Sequence, residues 1–390
     1  MRFSSLTDRI AGEGVNAWIV HDQAMARRER GDDIIVLSLG DPDYDTPAVT
    51  RAAAAQALAS GRTHYAAIPG ETALRAALAE HTQRLAGFAV RPEQITVFPG
   101  AQAALFALAQ CLLDAGDEVI VPDPSYPTYE AVLRAPGATM VTVPLRPANG
   151  FHLEPDVVAA AITLRTRALL VNFPQNPTGA CLTPPLAAAV AELCRAHDLW
   201  CISDEVYTAL DHAQRHRSPL SYEGMLERGA FVSSFSKSHA MTGWRCGWTA
   251  TSVELAGHLE RVARAMFFGV SPFVQDAAVA ALRDARGEAA AIRASYVRRA
   301  ELMVAALAHA RGVRVRAPDA GMYLFADVRG TGLDGKQFAQ RLLDVEGVSV
   351  TPGEGFGAAG AGHVRITLGV GDDRLREACA RIVRFTESLA

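Results

Sequence analysis

The 390-residue chain lacks several features that would each have fixed its class early. Its six cysteines (Cys111, Cys181, Cys194, Cys201, Cys246 and Cys379) form no C-x-x-C pair and no ligand-like spacing with histidine. Scattered through apolar-patterned segments, they read as reduced, buried thiols of a cytosolic protein. The N-terminal stretch "MRFSSLTDRIAGEGV" has no continuous apolar run, and "PPLAAAVAELCRAHDLW" is broken by charge before it could cross a bilayer. Neither export nor membrane insertion is expected, which places the chain in the cytoplasm. An excess of positive charge is also missing: the net charge of -4 and pI near 6.3 give no overall electrostatic reason to bind nucleic acid or an anionic membrane. No low-complexity or repeated segment divides the chain.

Hydrophobic residues make up 49% of the chain, enough for a sizeable core and more than one domain. Between about residues 95 and 250, the short apolar runs "ITVF", "EVIV", "TMVTV", "ALLVN", "WCIS", "FVSS" and "GWTA" alternate with helix-length amphipathic stretches. This alternation predicts an α/β unit with a mainly parallel seven-stranded sheet and helices on both faces. After residue 285 the pattern changes to a long charged helix, "MYLFADV", a helical "GKQFAQRLLDVE", "VSV", "HVRITL" and a last helix, which reads as a smaller α+β domain. The expected division is a large domain at 46–285 and a small one built from 1–45 and 286–390.

Polar groups collect at the predicted strand ends, where open α/β sheets present their functional side chains. Lys237 follows "FVSS" within "SFSKSHAMTGWRCGW"; "GAQAALFALAQCLL" follows "ITVFP"; "NPTG" follows "ALLVNFPQ"; and "DEVY" follows "WCIS". Around Gly100, Ala101 and Gln102 a helix begins with small side chains, so its unpaired N–H groups suit a phosphate dianion. Ser234 and Arg245 would add a hydroxyl and a bidentate guanidinium. Asp204, at the end of a buried strand, calls for a cationic partner such as a protonated ring nitrogen. Tyr207 can donate to a ring oxygen, and Tyr126 in "DPSYPTYE" offers a face for a flat ring. With Lys237 able to form an imine, the set meets the needs of pyridoxal 5'-phosphate.

Over nearly its whole length the chain resembles the class I/II aminotransferases of fold type I, through "LSLGDPDYDTP", "THYAAIPG", "PSYP", "NFPQNPTGA", "ISDEVY", "SFSKSHAMTGWRCGW" and "GHVRITLG" in that order. The resemblance implies that Lys237 attaches the cofactor covalently and that Asp204 pairs with its pyridine nitrogen. Tyr207 and Asn176 would contact the ring's phenolic oxygen, and Tyr126 would stack on the ring. Ala101, Gln102, Ser234 and Arg245 would hold the phosphate, joined by Tyr65 from a second subunit, so a homodimer is implied. Arg365 in "HVRITLG" is implied to bind the substrate α-carboxylate beside Gly40 and Asn176; an arginine on an exposed strand is the alternative.

Closer similarity, on "THYA", "AHDLW", "ISDEVY", "SKSHAMTGWR" and "RLLD-x-x-GVSV", is to the arginine–pyruvate transaminases, which implies a basic L-amino acid donor and pyruvate as acceptor. Dicarboxylate-using members bring an arginine from the segment before a Ser-Pro pair. Here that segment is "RAMFFGVSP", dominated by Phe267 and Phe268 with Arg264 slightly out of place, which disfavours aspartate and glutamate as donors. Glu13 and Asp22 are the candidate carboxylates for a guanidinium, and Trp18 reads as a packed core residue in preference to a face for a cation. An aspartate- or aromatic-type aminotransferase of broader specificity and a same-fold carbon–sulfur β-lyase remain as alternatives. So does a non-catalytic effector-binding module, which the lack of a helix-turn-helix extension disfavours.

Other signals are set aside. "GFGAAG" at 355–360 fits G-x-G-x-x-G but precedes a strand and opens no helix, so it reads as a mobile loop near the cleft. Ser238 and His239 are adjacent, lack an orienting carboxylate, and read as surface or supporting residues. Asp204, Glu205 and His212 lack a metal-binding frame, and no metal is expected.

Overall fold

The computed structural model describes residues 1–12 and 18–389. Its centre is a seven-stranded sheet in the order Ile95–Phe98, Gly247–Ala250, Gly229–Ser234, Trp200–Asp204, Thr166–Asn172, Glu118–Asp123, Thr139–Pro144. These are the seven apolar runs read from the sequence. Gly247–Ala250 alone runs antiparallel to its neighbours. The strands are short and rich in Val, Ile and Leu, and the central ones are buried along nearly their whole length, as expected where helices cover both faces.

Parallel pairing fixes where the polar strand ends fall. Asn172 is in register with Asp204, and the next strand carries Ser234 two residues beyond Val232, the partner of Asp204. Three neighbouring strands therefore finish with Asn172, Asp204 and Ser234 along one edge of the sheet, the usual location of ligand sites in open α/β sheets.

The C-terminal part has the antiparallel sheet Thr351–Pro352, His363–Thr367, Tyr323–Asp327, flanked by helices Arg286–Leu307, Gly335–Glu346 and Asp372–Glu387. The N-terminal residues join it: Ile35–Val36 pairs in parallel with Val348–Ser349. Val20, Ala24, Ile34 and Leu37 share one apolar cluster with Met303, Leu324, Phe338 and Phe385. Among the described residues no helix is long and apolar enough to cross a membrane.

Residues 38–46 run as a strap between the two parts. At one end the Ser38 hydroxyl bonds that of Ser349 at 2.9 Å, and the Ser38 carbonyl accepts from Thr351 and Arg365. In the middle the buried Arg299 guanidinium donates to both oxygens of Asp43 at 2.7 and 2.8 Å and to Asp372 at 2.9 Å. The Tyr44 ring lies 5.0 Å from the same guanidinium. At the other end Thr242 donates to Asp41 at 2.7 Å, Thr46 donates to the Ala240 carbonyl, and the Trp244 indole donates to Thr46 at 2.9 Å.

Replacing Arg299 by Leu leaves Asp43 and Asp372 without their shared cation. The expected loss is about 2–3 kcal/mol in urea denaturation, below the value for a fully buried pair because both carboxylates are partly solvated. The Arg299 hydrogen bond holds the Asp372 carboxyl below its ordinary range. That contribution is present above the unfolded carboxyl pKa and is lost in acid, so the wild-type and R299L stabilities converge as pH falls below about 4.

Candidate active site

A cleft lies over the carboxyl edge of the large sheet, and one end of it is an anion cradle. The Ala101–Leu112 helix is rich in alanine and leucine and opens on Gly100, whose φ of 83° is left-handed. A methyl at Gly100 would also overlap the Arg245 guanidinium, so this position needs glycine twice over. Ala101 and Gln102 therefore present the first N–H groups of a twelve-residue helix beside Arg245, Ser234 and Ser236, all lining the cleft. Gly247 lets its strand approach: a Cβ there would sit 2.7 Å from the Ala101 nitrogen.

Asp204 occupies the floor. Its carboxylate accepts from the Tyr129 hydroxyl at 2.6 Å and from the Val206 N–H at 3.3 Å. Among the described residues it has no ion-pair partner. Burial pushes its pKa up to about 6, against the lowering effect of those two hydrogen bonds. Asn172 steadies this floor, donating to the Asp204 carbonyl at 3.0 Å and accepting the Asn176 N–H at 3.0 Å.

On the open side the Lys237 Nζ donates to the Gly40 carbonyl at 2.5 Å. Arg365 is only 1% exposed, which rules out the exposed-strand alternative. It donates to Asn176 at 3.1 Å and to the Ser38 carbonyl at 2.8 Å, while its Nε is buried with no partner among the described residues. Tyr126 and Tyr207 line the same space, and burial raises the pKa of each phenol.

Lys237, Asp204, Tyr207, Tyr126, Asn176, Ala101, Gln102, Ser234, Arg245, Gly40 and Arg365 thus converge on one cleft, with Gly100 directly beneath Arg245. Tyr65 does not line it: it is 87% exposed, its ring 5.1 Å from that of Phe268. Of the carboxylates considered for a guanidinium, Asp22 is exposed on the Ile19–Glu29 helix and outside the cleft lining, and Glu13 lies outside the described residues. Trp18, expected in the core, is half-buried and lines the cleft. Ser238 and His239 do face each other, at 2.8 Å, and both are buried; burial lowers the imidazole to about 4, so it is neutral near pH 7. The 355–360 loop is tied down, with Ser125 donating to the Phe356 carbonyl and Ala359 to the Asp123 carboxylate. No group of three metal-binding side chains occurs among the described residues.

Sequence reasoning missed Tyr129, Asn172 and Tyr323. Tyr129 had a weak signal, standing three residues after Tyr126 in "SYPTY". A stronger unused signal concerned Lys237 itself: Lys237 and Lys336 are the only lysines in the sequence.

Residues 32–382 match the family model described as Aminotransferase class I and II. The chain belongs to the class I and II aminotransferases. Over 382 residues it is 52% identical to the arginine–pyruvate transaminase AruH of Pseudomonas aeruginosa, covering 98% of this chain and 97% of that one. It is 37% identical to the aspartate/prephenate aminotransferase of Thermus thermophilus over 368 residues, 94% of each. The fold superposes on the T. thermophilus aspartate aminotransferase with maleate at a TM-score of 0.93, with 36% identity, covering 99% of this chain and all of that one. The α/β architecture expected from the strand pattern is that of fold type I aminotransferases, and the protein is a transaminase.

In this aminotransferase the bare Asp204 carboxylate is a burden on the fold. Its pKa is raised above that of the unfolded chain, so its share of stability is full in acid and is lost as pH rises through about 6. D204N removes that loss. The cofactor-free D204N protein is expected to be more stable than cofactor-free wild type at pH 8, by on the order of 2–3 kcal/mol. The difference should vanish near pH 4 in parallel urea titrations.

Proposed function

We infer that the enzyme transfers the amino group of a basic L-amino acid, arginine in the first place, to pyruvate, using pyridoxal 5'-phosphate, and that it works as a homodimer in the cytoplasm. The observation that carries the cofactor reading is Asp204: a buried carboxylate with no cation paired to it among the described residues, on the floor of a cleft that also holds a helix N-terminus, an arginine and a lysine. That donor set fits the group. Asp204 would meet the ring nitrogen, Tyr126 would cover the ring, and Tyr207 and Asn176 would serve its phenolic oxygen. Ala101, Gln102, Ser234 and Arg245 would take the phosphate, and exposed Tyr65 would reach the partner subunit's cleft. Residues 46–285 form the cofactor-binding domain, while 1–45 and 286–390 form the smaller one.

When bound, the cofactor supplies an aldehyde that takes up the amino group and a cationic ring that accepts the electron pair released at the substrate Cα. The chain's own groups do the rest. Arg365 binds the α-carboxylate with two N–H groups in a fixed fork, and its unpartnered buried Nε is a donor awaiting such an acceptor. Asn176, already bonded to Arg365, holds that guanidinium in place. Lys237 Nζ, partly buried and left free once the incoming amino group has taken its place, would take the Cα proton and later return one. The Gly40 carbonyl is the acceptor that keeps this amine turned into the cleft.

For the donor, the support is similarity to a transaminase named for arginine and pyruvate, together with the cleft wall. Arg264 is tied to Glu260 at 2.9 Å, and Phe268 stands beside Tyr65 on the exposed face, so neither offers a second carboxylate a partner. Among the described residues Asp204 is the only carboxylate lining the cleft, and the ring would engage it. The Trp18 face is the group left for a cationic side chain.

Turnover is to be measured over a panel of donors with pyruvate and 2-oxoglutarate in competition. The expected result is an arginine kcat/KM at least about tenfold above that for aspartate, with pyruvate preferred. K237A should retain fold and phosphate binding but lose transamination by at least about a thousandfold. Equal rates with aspartate refute the donor assignment, and full turnover by K237A refutes the site.

A further inference from the structure

Between the two halves of the cleft stands a tyrosine to which none of these roles has been given. Tyr323 begins a strand of the small antiparallel sheet, is buried, and lines the cleft. Its hydroxyl lies 3.0 Å from that of Tyr207, with the two rings edge to face at 5.8 Å. Its ring carries the Arg365 guanidinium at 4.4 Å. A methyl on Gly40 would overlap the Tyr323 hydroxyl, so the residue whose carbonyl holds Lys237 is kept bare by this same phenol.

Each phenol has one proton. At 3.0 Å the pair shares one hydrogen bond, and neither hydroxyl has another side-chain or backbone partner among the described residues. If Tyr207 were the donor, its proton would point away from the ring oxygen it is read as contacting. Only when Tyr323 donates is the Tyr207 proton free to turn into the cleft, and a donor onto the Tyr207 oxygen strengthens Tyr207 as a donor in turn.

We propose that Tyr323 is a positioning residue of the transamination site: its hydroxyl donates to Tyr207, aiming the Tyr207 proton at the cofactor's ring oxygen, and its ring braces Arg365 for the substrate carboxylate. The proposal rests on the reading of Tyr207 given above. A donor aimed at the ring oxygen favours negative charge there, which lowers the proton affinity of the nitrogen joining Lys237 to the cofactor. The charged and titratable groups around the pair include Arg365, Lys237, Tyr126, Tyr129, Tyr296 and Asp204, and all are retained when only the Tyr323 hydroxyl is removed.

The test compares loaded wild type, Y323F, Y207F, the double variant and Y323L by pH titration of the cofactor absorbance and by steady-state kinetics. Y323F keeps the ring and removes the hydrogen bond. Its absorbance midpoint is expected to move up by about 0.3–1 pH unit and kcat to fall about two- to tenfold, with the amino-acid KM unchanged. Y207F should move the midpoint further, and the double variant no further than Y207F. Y323L, which also removes the brace, should raise KM. A Y323F midpoint equal to wild type, or an extra shift on top of Y207F, overturns the proposal. A Y207F protein titrating as wild type instead overturns the reading of Tyr207 on which it stands.

Discussion

A carboxylate at the end of a buried parallel strand is the constraint around which this molecule is arranged. Taking Asp204 out of water disfavours its charge, and a phenol with one N–H restores only part of what is lost. The strands on either side end in polar residues next to it, Asn172 on one and Ser234 on the other. Sheet register thus decides which groups share the site, and the helix after the first strand adds an anion seat at the far end of the same edge.

The second half of the site comes from residues distant in sequence, and the strap at 38–46 brings them in. Ser38 is bonded to the strand region that carries Arg365, Asp43 is fixed by Arg299, and Asp41 and Thr46 reach the loop that follows Lys237. Gly40 sits between these anchors and touches the two sides at once, the lysine through its carbonyl and Tyr323 through its missing side chain. A displacement of the small part relative to the large one is therefore felt directly at the Lys237 amine.

Much of this was legible in the chain. All seven strands of the main sheet were visible as apolar runs: six are buried nearly throughout and so must be continuously hydrophobic, and the more open edge strand Thr139–Pro144 showed through its β-branched residues. Lys237, Asp204 and Arg245 stood out because charges in apolar surroundings demand partners. Tyr129 and Tyr323 did not, since a tyrosine in a hydrophobic segment looks like packing until its hydroxyl partner, 75 or 116 residues away, is known. Trp18 misled for the same reason: an aromatic residue at the edge of a helix reads the same whether it faces a core or a cleft. The Ser238–His239 bond was missed because neighbours in sequence face each other only where the backbone turns, and Ala240, immediately after, has a φ of 49°.

The amine that bonds the Gly40 carbonyl has almost no competition within its own chain. Arginine provides nearly all the positive charge, and guanidinium groups stay protonated and do not condense with carbonyl compounds under ordinary conditions. An aldehyde wandering over this surface would find, apart from the chain terminus, one other primary amine, on exposed Lys336. Composition itself thus acts as a filter on where such a molecule can become attached.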